Sequence, residues 1–249
     1  MSLRRFANAL LTPTKYRLCT AGELKALATA NRSPFEVIAR REPAGSIKTI
    51  FDVGANVGQT TTELRRWFPD AFVHAFEPTP ASREAYQRLH AADSRVKLWP
   101  YAVASQAGRA TFHINQRSMT NSLLTSAPTS AQWVGEANVT NVERIEVEVR
   151  TLDEFCEANR VERVDILKLD IQGSELDALR GATGLFRRKA IRYVCLEAPF
   201  VLLYERQAFF HEIRDFLAAQ GCELYGLFKL ARHESDRLLF ADALFMLAP

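Results

Sequence analysis

The sequence predicts an α/β fold, in which helices cover a mostly parallel sheet that ends in an antiparallel edge. A short apolar strand, a glycine-bearing turn and a helix follow one another between residues 48 and 68. Strand-like and helix-like segments then alternate as far as residue 220. The chain closes with two strand-like runs, 222–230 and 238–247, which a polar turn joins. This order is typical of a parallel sheet completed by an antiparallel hairpin.

The 249 residues are enough for one large domain with an appendage. Residues 1–46 precede the first strand, and we expect them to form an N-terminal helical extension to a main domain at 47–249. Leu3, Phe6 and Leu10 form an apolar patch in this extension. Packing on the main domain is the favoured explanation for the patch, while contact with a membrane surface or a partner stays open.

Composition and charge restrict the class of protein. Hydrophobic residues make up 47% of the chain and charged residues 24%, as in ordinary soluble proteins. The net charge of +3 is too small to indicate a nucleic-acid partner. No apolar run is long enough for a membrane span. The four cysteines lie far apart, which favours free thiols and a cytoplasmic location. Assembly into a homo-oligomer stays open.

Two capping boxes mark the starts of helices. Ser33-Pro-Phe-Glu36 has proline at its first helical position and predicts a helix from residue 34 to about 41. Thr151-Leu-Asp-Glu154 predicts a second helix, to about residue 159.

The central element is the turn in Asp52-Val-Gly-Ala-Asn-Val-Gly58, between the first strand and a helix at 59–68. Gly54 allows the chain to turn with a positive φ, and Gly58 allows the helix start to lie close to a ligand and to the sheet. A strand, a glycine turn and a helix open the nucleotide-binding unit of doubly wound sheets. A tight turn without any ligand is the alternative.

The spacing of this turn bears on the ligand. A dinucleotide site uses G-x-G-x-x-G, whose middle glycine gives the pyrophosphate room, but Asn56 stands at that place here. No Lys-Ser/Thr pair follows, so the turn is not a phosphate-binding P-loop. The loop therefore suits a nucleoside without phosphates. S-adenosylmethionine is the common ligand of that kind, and its amino acid end can meet the backbone groups of the loop.

A second acidic residue supports a nucleoside ligand. The apolar run 71–76 predicts a second strand that ends at Glu77-Pro78, and Glu77 lies 25 residues after Asp52. An acid at this point of a βαβ unit accepts hydrogen bonds from ribose hydroxyls. A solvated strand end is the alternative. Thr79-Pro80 then predicts the cap of a helix that continues to about residue 89.

The middle of the chain contains strands and a long polar segment. Runs at 96–103, 110–114 and 144–150 are predicted strands. Between the last two, residues 115–141 are rich in Ser, Thr, Asn and Gln. Long loops in compact domains are often functional, so we expect a lid that faces the substrate. A mobile surface excursion is the alternative.

The strand at 164–170 ends in Asp170, at the sheet edge where open α/β folds bind ligands. Lys168 lies on the same face of this strand, because side chains alternate with period two. A lysine in a buried strand needs a partner, and Asp170 or Glu175 are the expected ones. A purely structural ion pair is the alternative to a functional one. The next strand, 191–196, ends at Glu197.

Several motifs, in this order, resemble the FkbM family of S-adenosylmethionine-dependent methyltransferases over about residues 47–248. They are Asp52-Val-Gly-Ala-Asn-Val-Gly58, Phe76-Glu-Pro78, Thr151-Leu-Asp153, Leu167-Lys-Leu-Asp-Ile-Gln-Gly-Ser-Glu175 and Asp242-Ala-Leu-Phe245. The resemblance implies the Rossmann-like class I methyltransferase fold, with a seven-stranded sheet whose last strand is antiparallel. It also implies O-methylation, often of a sugar or a natural-product hydroxyl, and hence a small-molecule or carbohydrate substrate.

The resemblance also bears on the site residues. The chain departs from the common family pattern at Pro100-Tyr-Ala-Val103, where asparagine often precedes the Ala-Val pair, and at Ser105, where an acid is common. The predicted cofactor-binding residues are Asp52, Gly54, Asn56, Gly58, Glu77, Ala102 and Ser105.

Methyl transfer to a hydroxyl requires loss of its proton, which a positioned carboxylate can accept. The predicted catalytic candidates are Asp170, Glu197 and Glu175, with Asp170 expected to face the methyl group or its acceptor. Some sugar O-methyltransferases use a divalent metal. No tight acidic cluster is evident in the sequence, so no metal ligands are predicted.

Two other classes of function stay open at this point. An NAD(P)-dependent oxidoreductase shares the same opening unit, but Asn56 and the loop length argue against it. A non-catalytic scaffold with this fold would keep the core and lose the acids. Asp52, Glu77 and Asp170 are all present.

Overall fold

The computed structural model describes residues 32–248. Helices and strands are numbered here in chain order. The strands are β1 (Thr49–Val53), β2 (Phe72–Phe76), β3 (Val96–Trp99), β4 (Ala102–Val103), β5 (Gly108–Asn115), β6 (Asn141–Arg150), β7 (Val164–Leu169), β8 (Ile191–Pro199), β9 (Cys222–Arg232) and β10 (Leu238–Leu247). The helices are α1 (Pro34–Arg41), α2 (Gln59–Trp67), α3 (Pro80–His90), α4 (Ala131–Val134), α5 (Leu152–Asn159), α6 (Glu175–Arg180), α7 (Thr183–Arg187) and α8 (Phe210–Ala219).

The main sheet has seven strands in the order β3-β2-β1-β7-β8-β10-β9. β1, β2, β3, β7 and β8 run parallel to one another, and β10 runs antiparallel to both β8 and β9. The predicted class I methyltransferase architecture, with its antiparallel C-terminal hairpin, is therefore confirmed. The strand order changes direction between β1 and β7: β2 and β3 extend the sheet on one side, and β8 extends it on the other. The loop after β1 therefore lies at the point where open α/β sheets bind ligands.

The helix starts predicted from capping boxes are confirmed. The Ser33 hydroxyl accepts a hydrogen bond from the Glu36 amide at 3.2 Å, and the Thr151 hydroxyl accepts one from the Glu154 amide at 3.1 Å. α1 buries Phe35 and Ile38 against the main sheet, in an apolar cluster that also contains residues of β1, α2 and β10. Burial of such side chains, rather than the short helix itself, fixes α1 on the domain.

One predicted strand proved wrong in its extent. The run 96–103 is two strands, because Pro100 cannot donate to a ladder and interrupts the pairing. β3 stays in the main sheet, whereas β4 joins a second sheet of order β4-β6-β5 that the sequence did not predict. Ala102 and Ala104 lie in the apolar cluster of this small sheet with Phe112 and Val149.

The polar segment 115–141 contains α4 and two short 3₁₀ turns, Ser118–Thr120 and Glu136–Asn138. Its two ends are held together because β5 and β6 pair antiparallel. Bridges also join His113 to Ser122 and Ser126 to Tyr204. The segment is thus held by β5 through Ser122 and by the connection after β8 through Ser126.

Some sequence predictions concern the chain before residue 32. The apolar patch of Leu3, Phe6 and Leu10, and Cys19, lie outside the described residues. Cys156, Cys195 and Cys222 are buried free thiols, as predicted. Among residues 32–248, no helix is long and apolar enough to cross a membrane.

Candidate functional site

The turn after β1 packs directly against the end of β7. Gly54 has φ +76°, and a Cβ atom built on it would lie 2.0 Å from the Asp170 carbonyl oxygen. The amides of Gly54 and Ala55 both donate to the Phe76 carbonyl at 3.0 Å. Glycine is needed at this position both for the backbone conformation and for the close approach of β7.

A buried ion pair lies beneath the turn. Lys168 Nζ is 2.9 Å from Asp52 Oδ1 and 3.9 Å from Asp170 Oδ2. Asp170, one of the two expected partners of Lys168, is thus a distant partner. Glu175, the other, forms no ion pair with Lys168 within residues 32–248, and the closest partner is Asp52, directly opposite in the β1–β7 register. Burial lowers the pKa of the ammonium, but the adjacent carboxylates of Asp52 and Asp170 outweigh burial and raise it. The lysine is therefore charged and held by Asp52.

Asp52 supports the loop and does not face the ligand space. Its side chain is fully buried, and Oδ2 accepts a hydrogen bond from the Thr61 hydroxyl at 2.7 Å. Lys168 in turn donates to the Gly54 carbonyl at 3.1 Å. Asp52 thus ties β1 to α2 and to β7, and its contact with a cofactor stays a prediction.

Asn56 and Gly58 have different surroundings. Asn56 has φ +44°; its amide donates to Glu77 Oε2 at 3.0 Å, and its side-chain oxygen accepts from the Ser82 hydroxyl at 3.0 Å. Gly58 has φ +98°, but the group that a Cβ would meet is the His90 ring at 2.8 Å, not ligand space. The close approach at Gly58 therefore serves the packing of α2 against α3, and its ligand role stays a prediction.

Glu77 lies where β2 ends, and it is 6% exposed. Oε1 accepts from the Thr79 amide and hydroxyl, and Oε2 from the Asn56 amide. Thr79 is the N-cap residue of α3 and Pro80 its first residue, as predicted, but the Thr79 hydroxyl donates to Glu77 and makes no capping hydrogen bond. Burial raises the pKa of Glu77, and the hydrogen bonds from Thr79 and Asn56 partly oppose that rise.

A cavity of about 330 Å³, called here the first cavity, opens at the carboxyl edge of β1, β2 and β7. Four predicted cofactor-binding residues line it, together with the predicted catalytic residue Asp170: they are Gly54, Asn56, Glu77 and Ala102. Tyr101, Phe112 and Met119 add apolar wall. The cavity combines a backbone turn, a carboxylate and apolar surface, which suits a nucleoside with an amino acid end.

Ser105 is not among the residues that line this cavity. Its amide donates to Asp177 Oδ2 at 3.3 Å, which joins the end of β4 to α6. The Ser105 amide thus has a structural role, and cofactor contact at Ser105 stays a prediction. Ala102 lies three residues earlier, in the cavity wall.

A second cavity of about 500 Å³ lies beside the first. Asp170, Gln172 and Met119 line both cavities. The Asp170 side chain is 42% exposed, so its carboxylate is available to molecules in either space. The wall of the second cavity also contains Trp133 from α4 and Phe240 from β10.

Gln172 links the carboxylates at this shared wall. It has φ +55°, and its Nε2 donates to Asp170 Oδ1 at 2.8 Å and to Glu197 Oε1 at 3.3 Å. Its Oε1 accepts from the Tyr204 hydroxyl at 2.7 Å. Sequence reasoning missed Gln172 and Tyr204 as site residues. Gln172 stands two positions after Asp170, but Tyr204 carried no sequence signal, because it reaches the site from beyond β8.

Glu197 lies inside β8 rather than at its end, since the strand continues to Pro199. This corrects the predicted strand boundary, yet its carboxyl group still lines the second cavity. Burial raises the pKa of Glu197 well above its usual value, and the nearby carboxylates of Asp170, Glu175 and Asp242 raise it further.

Glu175 has a structural position. It is 1% exposed and lines neither cavity. Its carboxyl oxygens accept from the Ile171 amide at 2.9 Å and from the Gly173 amide at 3.0 Å. Burial raises its pKa to about 7, against these hydrogen bonds. Glu175 thus holds the loop that carries Gln172, and its catalytic role stays a prediction.

Metal-ligating side chains are not grouped in the described part of the chain. Among residues 32–248, no set of three or more His, Cys, Asp or Glu side chains is placed to hold a metal ion.

Comparison with protein families shows the family to which the chain belongs. The sequence profile of the family described as "Methyltransferase FkbM domain" matches residues 52–224, which is well over half of the chain. That range begins at Asp52 and contains Glu77, Asp170 and Glu197.

Curated relatives are methyltransferases. The chain is 25% identical to 2-O-methyltransferase NoeI of Sinorhizobium fredii over 229 residues, covering 86% of this chain and 83% of that protein. It is 27% identical to Methyltransferase 1 of Beauveria bassiana, covering 53% of this chain, and spans only 57% of that fungal protein.

Among solved structures, the magnesium protoporphyrin IX methyltransferase ChlM of Synechocystis PCC 6803 with bound SAM aligns with a TM-score of 0.49. The identity is 10%, and the alignment covers 100% of this chain and 98% of that one.

Proposed function

Because the chain belongs to the FkbM family of S-adenosylmethionine-dependent methyltransferases, we propose that it methylates a hydroxyl group of a sugar, a glycan or another natural product. The observation that carries the proposal is the position of Asp170. Its carboxylate lies in the wall that the first and second cavities share. The first cavity suits a nucleoside donor, and the second suits an acceptor. A curated relative named as a 2-O-methyltransferase supports oxygen as the methylated atom.

The residues of the first cavity fit S-adenosylmethionine. Gly54, without a Cβ, lets the Asp170 carbonyl oxygen lie against the turn, and Asn56, with a positive φ, continues the turn along the wall of the first cavity. Glu77 is the carboxylate suited to a ribose hydroxyl, because Thr79 uses both acceptor positions of Oε1 while Asn56 uses only one of the two on Oε2. Ala102 and Tyr101 supply apolar wall for a flat base.

S-adenosylmethionine, when bound, supplies an electrophilic methyl group on a sulfonium sulfur. The chain's own task is then to align an acceptor, to exclude water and to accept a proton. We assign the proton to Asp170: as the acceptor oxygen forms its bond to the methyl carbon and the carbon–sulfur bond breaks, the hydroxyl proton passes to the Asp170 carboxylate. Gln172 holds that carboxylate through the 2.8 Å hydrogen bond to Oδ1.

The segment 115–141 is the proposed lid. Met119 lines both cavities, while Trp133 and Asn138 line the second. A segment in contact with donor and acceptor spaces can exclude water from both when they are filled.

The test is a panel of sugars, glycans and polyketide alcohols, with release of S-adenosylhomocysteine as the readout. Asp170→Ala and Asp170→Asn are expected to bind S-adenosylmethionine nearly as the wild type does, by calorimetry, and to lose turnover. Asp215→Asn, at an exposed aspartate on α8, is the control and should keep full turnover. Retained turnover in Asp170→Ala would contradict the assignment of the base. Binding of NAD in place of S-adenosylmethionine would contradict the proposed function itself.

A further inference from the structure

We propose that the acceptor carries a second hydroxyl group on the carbon next to the methylated oxygen, and that Glu197 binds this second hydroxyl. The acceptor would thus be a vicinal diol, of which one oxygen faces Asp170 and the other Glu197. This inference rests on the proposed function, because it assumes a hydroxyl acceptor in the second cavity.

The spacing of the two carboxyl groups supports a diol. Both accept from the same atom, Gln172 Nε2, with Asp170 Oδ1 at 2.8 Å and Glu197 Oε1 at 3.3 Å. The two hydrogens of one amide nitrogen diverge by about 120°, so these oxygens lie roughly 5 Å apart. One hydroxyl oxygen, with hydrogen bonds of about 2.7 Å, spans that gap only if it lies almost midway between the two oxygens.

A vicinal diol fits the gap with fewer constraints. Its two oxygens, when gauche, lie about one hydrogen-bond length apart. Each can then form its own hydrogen bond, one to Asp170 and one to Glu197, without being centred between them. Gln172 holds both carboxyl groups at this separation and so acts as a positioning residue.

Glu197 has hydrogen-bonding capacity that the described residues do not use. Its Oε1 accepts the long bond from Gln172, and its Oε2 has no hydrogen-bond partner among residues 32–248. The nearby cation, Lys168, is held by Asp52 at 2.9 Å. Asp242, opposite Glu197 in the β8–β10 register, pairs with Lys229 at 3.5 Å. A half-buried carboxyl group of this kind is stabilised by a ligand hydroxyl, which can both donate and accept.

The remaining wall agrees with a ring-shaped acceptor. Trp133, Phe240 and Leu203 line the second cavity as apolar and aromatic surface. Such surface can cover the carbon face of a ring while the carboxyl groups select its hydroxyls. The carbon face of the acceptor would thus pack on the apolar side chains, and its hydroxyl groups would form hydrogen bonds with the carboxyl groups.

The test uses methyl glycosides of hexoses and 6-deoxyhexoses as probes, each beside its monodeoxy derivatives. We measure turnover, the position of the new methyl group by NMR, and binding of the glycoside to the protein–S-adenosylhomocysteine complex by calorimetry. The wild type should lose at least tenfold in kcat/KM, and in affinity, when the hydroxyl next to the methylated one is absent. Loss of a hydroxyl elsewhere on the ring should have a smaller effect.

Variants at Glu197 separate recognition from folding. Glu197→Ala should reduce affinity for the diol at least tenfold and should bind the diol and the monodeoxy compound equally well. A double-mutant cycle that combines the substitution with removal of the ligand hydroxyl measures this coupling. Glu197→Gln, which keeps hydrogen bonding, should recover part of the affinity. Glu234→Ala, at an exposed glutamate between β9 and β10, is the control and should behave as the wild type.

The outcomes distinguish the two proposals. Equal turnover of diol and monodeoxy compounds by the wild type, or an undiminished preference in Glu197→Ala, overturns the diol and leaves O-methylation standing. Methylation of monohydroxy alcohols, with no methylation of vicinal diols, would also overturn the diol and leave O-methylation standing. Absence of methyl transfer to every hydroxyl compound, with S-adenosylmethionine bound, overturns the proposed function and the diol together.

Discussion

Lys168 Nζ lies 2.9 Å from Asp52 Oδ1, and the same nitrogen donates to the Gly54 carbonyl at 3.1 Å. One ammonium group therefore fixes both Asp52, the next-to-last residue of β1, and the turn that follows the strand. Asp52 is also bonded to Thr61 of α2, so the strand, the turn and the helix share one buried network. Buried networks of this kind are costly to leave partly satisfied.

We expect Lys168→Met to lower the free energy of unfolding by about 3–5 kcal/mol, because the variant leaves Asp52 as an unpaired buried charge. Urea denaturation measures this loss. Lys229→Met is the matched control: the Lys229 side chain is 47% exposed and pairs with Asp242 at 3.5 Å, so its loss should change stability by about 0–1 kcal/mol. The double variant Asp52→Asn/Lys168→Met should recover part of the loss. Equal stability of Lys168→Met and the wild type would contradict a structural role for the pair.

Gly54→Ala should abolish binding of S-adenosylmethionine. The new Cβ would lie 2.0 Å from the Asp170 carbonyl oxygen, so β7 and the turn must move apart. Gly108→Ala is the matched control: this glycine also has a positive φ, +151°, but no atom lies within 4 Å of the added Cβ. Calorimetry should show wild-type affinity in Gly108→Ala and no measurable binding in Gly54→Ala. Similar affinities in the two variants would mean that the close approach to Asp170 is not required.

The sequence was sufficient for features that depend on local signals. The strand–turn–helix unit at Gly54 and the helix caps at Ser33 and Thr151 each follow from a few adjacent residues. The alternation of strands and helices then limited the topology to few choices, because parallel strands need crossover connections. Glu77 and Asp170 could be placed at the same sheet edge on this basis.

Features that depend on contacts between distant segments were missed. The partner of Lys168 is set by the β1–β7 register, which joins residues more than a hundred positions apart. Tyr204 reaches Gln172 from the connection after β8. The wall of the second cavity comes from the polar segment, β8 and the hairpin, and no local pattern brings these together. Pro100 was a local signal that the run 96–103 forms two strands, because proline cannot donate a ladder hydrogen bond inside a strand.

Glu77→Gln should weaken binding of S-adenosylmethionine by roughly tenfold to a hundredfold, because hydrogen bonds to a charged carboxylate contribute about 1.5–3 kcal/mol each. The amide also cannot accept at both terminal atoms, so the bonds from Thr79 and Asn56 cannot both be kept. Calorimetry with S-adenosylmethionine and S-adenosylhomocysteine measures the loss. Glu84→Gln, at an exposed glutamate of α3 that pairs with Arg88, is the control. Unchanged affinity in Glu77→Gln would exclude Glu77 as the ribose acceptor.

Glu175 predicts a pH dependence of stability. Burial raises its pKa in the folded protein to about 7, from an ordinary value of 4.5. Between these values the folded state binds the proton more tightly than the unfolded state does. The free energy of unfolding should therefore fall as the pH rises from about 4.5 to about 7, and the contribution of Glu175 should be constant above that range. The expected size is roughly 2–4 kcal/mol.

Glu175→Gln isolates this contribution. The amide oxygen can still accept from the Ile171 and Gly173 amides, but the side chain no longer ionises. Urea denaturation at pH 5 and pH 8 should show the variant gaining stability relative to the wild type at the higher pH. Carboxyl groups that do not interact with Glu175 are present in both proteins and cancel in this difference. Glu157→Gln, at an exposed glutamate of α5, should leave the pH dependence unchanged. A constant difference between wild type and Glu175→Gln at both pH values would show that Glu175 does not titrate in this range.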